Sequence, residues 1–118
     1  MFYNNNNSDS EISRIGKELL GSKFVGVFPL DKVELKEGAI IVNTQSETLP
    51  GEHWIAINIT PLKINVFDPL GTFYPSSLVR KLAEFRRKTI YNNAMIQNPQ
   101  SNTCGEHCLI WLYNQYKH

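Results

Sequence analysis

Only two of the 118 residues are cysteine, and they stand four apart, at Cys104 and Cys108. Thiols that close cannot staple distant parts of a small secreted fold, and on one helix their geometry is poor for a disulfide. Free thiols in a reducing compartment are the expectation. Charge of one sign is also missing. Twelve Lys and Arg face eleven Asp and Glu, a formal net charge of +1, so no global field selects nucleic acid or a membrane surface as partner. DNA binding would need a local patch. Long apolar runs are absent too: "FVGVF" and "AIIV" fall far short of the roughly 20 residues that span a bilayer, and no signal peptide opens the chain. An intracellular protein without a membrane partner is the default expectation.

What is present is enough for one modest core, since 42% of the residues are hydrophobic and the length leaves no room for two cores. Residues 1–8 of the asparagine-rich lead "MFYNNNNSDS" have little reason to pack and are expected to fray. Residues 9–118 are expected to form a single domain, monomeric by default. "SDSEISRIGKELLG" carries an apolar stripe at Ile12, Ile15, Leu19 and Leu20, with Gly21 placed to stop a helix. Lys23 to Lys36 reads as a strand running into a loop. "GAIIVNT", "HWIAINIT" and "INVFDPLG" have strand character, and the short "TPLK" link predicts that the last two pair as an antiparallel hairpin. "PSSLVRKLAEFRRK" predicts a helix with Leu78, Leu82 and Phe85 on one face. "TIYNNAMIQ" is a weaker strand, and "TCGEHCLIWLYNQY" a final helix sending Cys108, Leu109, Trp111 and Leu112 inward. The fold class is α+β, a small, mostly antiparallel sheet packed against helices.

Thiol catalysis needs a thiolate, a histidine that takes and returns a proton, an acid that orients the imidazole, and donors for the oxyanion. His53, Asp68 and Cys104 supply the first three. His53 begins one strand of the expected hairpin and Asp68 ends the other, so antiparallel pairing brings them together. Cys104 opens a helix, where unpaired N–H groups and the helix dipole favour a thiolate. Gly105 allows close approach of a substrate carbonyl, and Gln97 is placed to supply a side-chain amide to the oxyanion hole. Singly, each residue has a plainer role: a strand-end histidine, a turn aspartate before Pro69, a small buried cysteine. The joint placement is what favours chemistry. A zinc site on Cys104, His107 and Cys108 lacks a second ligand pair, so no metal is expected. Cys108 is expected in the core and His107 in solvent. Arg80, Lys81, Arg86, Arg87 and Lys88 read as a solvated basic face.

The runs "AIIVNT", "GEHWIAI", "NVFDPLG" and "QNPQSNTCGEHC" together resemble the adenain-type cysteine proteases, over about residues 9 to 113. Proteases of ubiquitin-like modifiers share the order, usually with one residue fewer between Gln and Cys. The resemblance implies His53 as general base and acid, Asp68 as orienting acid, Cys104 as nucleophile, Gln97 as oxyanion donor and Trp54 as a residue shaping the site. It implies cleavage of viral structural precursors near glycine, in the infected cell and the virion. The adenovirus enzyme has Glu at the position of Asp68 and continues well past the nucleophile helix. It is activated by a peptide that can bond to it through a disulfide, and by DNA. With Cys108 buried that covalent link is not expected, which leaves a non-covalent peptide, DNA, or no activator at all. A deconjugating protease for a ubiquitin-like modifier and a non-catalytic binding domain of the same fold are the alternatives.

Overall fold

The computed structural model describes residues 9–43, 54–69, 74–92 and 104–116. Helix α1 (Asp9–Leu20) leads through a short 3-10 turn into strand β1 (Phe24–Pro29) and then β2 (Gly38–Asn43). Strands β3 (Trp54–Ile59) and β4 (Lys63–Phe67) follow, then α2 (Ser76–Ala83), β5 (Lys88–Asn92) and α3 (Cys104–Tyr116). The five strands form one sheet in sequence order, β1-β2-β3-β4-β5. The α+β class holds. The sheet is mixed, however, and not mostly antiparallel: β2-β3 and β3-β4 are antiparallel, while the two outer pairs, β1-β2 and β4-β5, are parallel. A parallel pair needs a crossover between its strands. Helix α2 provides it for β4 and β5, and residues 30–37 for β1 and β2.

The sheet is covered on both faces. On one, α1 and α3 bring Ile12, Ile15, Cys108, Leu109 and Leu112 onto Ala39, Ile41, Trp54, Ala56 and Phe67. On the other, Leu78 and Leu82 of α2 and Val33 of the 30–37 connection cover Ile40, Val42, Ile55, Ile57 and Val66. Strand β3 is therefore buried along its whole length, although its alternation of sequence also fitted a strand with one wet face. Each fully buried Ile or Leu contributes about 1.5–3 kcal/mol by leaving water. Asn58 is the polar interruption of β3, and it is accommodated because the Tyr116 hydroxyl at the far end of α3 donates to its Oδ1.

The expected hairpin between β3 and β4 is present, and Thr60 closes it. Its hydroxyl donates to the Lys63 carbonyl at 2.9 Å and accepts the Lys63 N–H at 3.1 Å. Two details of the helices depart from expectation. Leu19 is 40% exposed, because α1 turns only Ile12, Ile15 and Leu20 inward. Helix α2 ends at Ala83, earlier than its apolar pattern implied. The N–H groups of Phe85 and Arg86 bond three residues back, to Leu82 and Ala83, and Arg86 then takes φ 54°. That left-handed turn is usually made by glycine, so nothing in "AEFRRK" announced it. The basic face is also less free than expected. Lys81 Nζ donates to the carbonyls of Leu30 and Val33, while Arg87 donates to the Thr60 carbonyl at 2.8 Å and pairs with Glu37 at 3.1 Å.

Gly16 marks a close approach of α1 to the sheet. A Cβ there would lie 2.5–2.7 Å from three ring atoms of Phe24, which is itself buried. Gly to Ala inside an exposed helix normally stabilises by about 1 kcal/mol. At this position the overlap reverses the sign, and Gly16→Ala is expected to destabilise the fold by about 1–3 kcal/mol. Urea unfolding checks this; a midpoint at or above the wild-type value would contradict the packing.

Candidate active site

Several chain segments reach the same end of the sheet. Trp54, the first residue of β3, pairs with Asn43, the last of β2. In the hairpin, Ala56 pairs with Phe67, so the residue after Phe67, Asp68, comes level with the start of β3. Because β5 runs parallel to β4, its last residue, Asn92, sits beside Phe67 at this end as well.

Helix α3 brings its N-terminus here too. The Cys108 thiol donates to the Trp54 carbonyl at 3.4 Å, and Tyr116, eight residues on, reaches Asn58, four residues along the strand. Eight helical residues rise about 12 Å, and four strand residues about 13 Å. Helix and strand therefore run side by side in the same direction. One helical turn back from Cys108 is Cys104, which puts the first residue of α3 at the level where the chain enters β3. The stack of Trp111 on Phe67, with centroids 5.2 Å apart and planes 10° from parallel, fixes the helix laterally against β4.

Of the residues singled out in the sequence, Asp68 is fully buried. An ordinary turn aspartate before proline sits in water, so burial removes that plainer reading for Asp68. Trp54 is buried in the core between α3 and the sheet, Gly105 is buried in the first turn of α3, and Cys108 is a core residue, as expected. His107 is half-buried, not fully solvated. His53 and Gln97 lie outside the described residues, as does the side chain of Cys104. Each adjoins a described segment in sequence: His53 precedes Trp54 directly, Gln97 follows Asn92 by five residues, and Cys104 opens α3.

Tyr74 was not anticipated from the sequence. It precedes the Pro75 that begins α2, a place where a tyrosine commonly does no more than pack its ring. Here its Oη donates to the Asn92 carbonyl at 2.6 Å. Burial, and after it the Asp68 carboxylate, push the phenol well above its ordinary range, so Tyr74 stays a neutral donor at any physiological pH. Asn92 is held in turn by its side-chain Nδ2, which donates to the Val66 carbonyl at 2.9 Å.

The chain as a whole is similar to known proteins. No family model matches the chain. A curated "Protease" of ovine adenovirus D serotype 7 is 29% identical over 90% of this chain, and one of bovine adenovirus C serotype 10 is 28% identical over 90%. The "Protease" of bovine adenovirus 4 is 30% identical over 81%. This chain is related to the adenovirus proteases. It spans less than two thirds of those relatives: 63%, 65% and 54% of their respective lengths. The crystal structure of the ASFV pS273R protease superposes on 95% of this chain with a TM-score of 0.60 and covers 56% of that protein. At 15% identity that match establishes a shared fold. The adenain-type resemblance and the α+β fold thus agree with independent comparisons of sequence and of structure.

Proposed function

We propose that the chain is a viral cysteine endopeptidase. In this reading the Cys104 thiolate attacks a peptide carbonyl, and Gln97 and the Cys104 N–H hold the oxyanion. His53 protonates the leaving amine and then activates the water that releases the acyl-enzyme, while Asp68 orients the imidazole. The observation that carries the proposal is the meeting, at one end of the sheet, of a buried Asp68, the start of β3 directly after His53, and the first turn of α3 at Cys104. In the same reading the substrates are viral structural precursors, cut near glycine during virion maturation in the infected cell or the particle, as the resemblance to adenain-type proteases implies. No cofactor enters the chemistry. Activation by a non-covalent peptide or by DNA is part of the same proposal, and burial of Cys108 makes a disulfide through that thiol unfavourable.

The test is hydrolysis of glycine-containing peptides by the full chain before and after alkylation with iodoacetamide, with mass spectrometry locating the label. Loss of turnover in step with alkylation of Cys104 is expected. Turnover that survives complete modification of Cys104 would refute a thiol mechanism. Labelling of Cys104 by a ubiquitin-like modifier with a reactive C-terminus, without cleavage of the peptides, would instead favour deconjugation.

A further inference from the structure

Tyr74 ties together two segments that the proposed reaction uses. Its hydroxyl holds the carbonyl of Asn92, the last residue of β5, which pairs with Phe67 directly ahead of Asp68 and stands five residues ahead of Gln97. The contact is braced on both sides. Asn92 is anchored to β4 through the Val66 carbonyl, and the Tyr74 ring lies against that of Tyr91 with centroids 4.8 Å apart and planes tilted 50°. Here the ring and the hydroxyl have separate partners, so their contributions can be separated by removing one oxygen.

We propose that Tyr74 is a positioning residue: by holding the end of β5 against β4 at Asn92, its hydroxyl fixes where Asp68, the residue after the paired Phe67, presents its carboxylate. The inference rests on the reading of Asp68 as the orienting acid of a thiol peptidase. Catalytic groups tolerate only small misplacement, and a donor fixed by its own packing is how such aim is held. Tyr74 acts through Asp68, so its effect should vanish once the Asp68 charge is gone.

The experiment compares the full-length wild type with Tyr74→Phe, Asp68→Asn and the double variant. It reads kcat and KM on a glycine-containing peptide, and the rate of Cys104 alkylation by iodoacetamide, which needs no substrate. For Tyr74→Phe, kcat is expected to fall about tenfold with KM within about twofold of wild type. Alkylation of Cys104 should slow in parallel. The double variant should be no slower than Asp68→Asn alone, because two residues acting as one unit are not additive. Unchanged kcat and alkylation in Tyr74→Phe, even with a lowered urea midpoint, would assign the hydroxyl to the fold alone and overturn the proposal. Losses that multiply in the double variant would overturn it too. If Asp68→Asn itself matches wild type in both readouts, the triad reading fails and this inference with it. If Asp68→Asn is impaired while Tyr74→Phe is not, only the inference fails.

Discussion

Cys104→Ala is expected to abolish peptide hydrolysis, by about a thousandfold or more in kcat, while leaving the fold intact. Removing the proposed nucleophile removes the covalent path altogether, and what remains is the small rate supported by binding and the proposed oxyanion donors. The informative control is the other cysteine. Cys108 is four residues away on the same helix, fully buried, with its thiol on the Trp54 carbonyl. Cys108→Ala should keep most of the activity and lower stability by about 1 kcal/mol, through a lost weak hydrogen bond and a small void. Steady-state kinetics paired with urea unfolding separates the two. If Cys108→Ala were the inactive variant and Cys104→Ala the active one, the assignment would be reversed.

The second large effect is expected at Asp68. It is the one fully buried carboxylate among the described residues. Taking a carboxylate out of water costs several kcal/mol before its partners compensate. Asn58, the other buried polar side chain among those residues, has a structural account in its bond from Tyr116. For Asp68 the proposed account is electrostatic: a negative charge beside the imidazole stabilises the imidazolium of the thiolate–imidazolium pair. Asp68→Asn keeps the shape and removes the charge, so kcat/KM should fall by about a hundredfold or more, with a much smaller change in unfolding free energy. Kinetics near neutral pH on a variant shown to be folded by circular dichroism is the check. Activity within twofold of wild type would remove Asp68 from the reaction.

The chain shows where sequence is informative and where it is not. The hairpin was readable because "TPLK" lies between two β-branched runs, and Thr60 supplies the local hydrogen bonds that such a turn needs. Helix α3 was readable from its apolar residues and the polar "SNT" ahead of Cys104. The parallel pairs were not, because β1 and β2, like β4 and β5, are joined across residues that say nothing about which strand edge the chain will return to. The end of α2 was misplaced for a related reason: Arg86 adopts a conformation for which its side chain gives no signal. Tyr74 was missed because nothing local in the sequence says that its hydroxyl will meet the Asn92 carbonyl, eighteen residues on.

For the candidate site, the sequence by itself determined the candidate reagents, their order and their positions at element ends: His53 before a strand, Asp68 after one, Cys104 at a helix start. Those are local properties, set by side-chain chemistry and by where periodic runs begin and stop. Only the tertiary structure decided that β4 and β5 end together beside the start of β3, that α3 runs alongside β3 in the same direction, and that Asp68 is closed off from water. Those facts depend on strand order and on which faces of the sheet the helices cover, and both are set by burial of apolar surface between residues far apart in the chain.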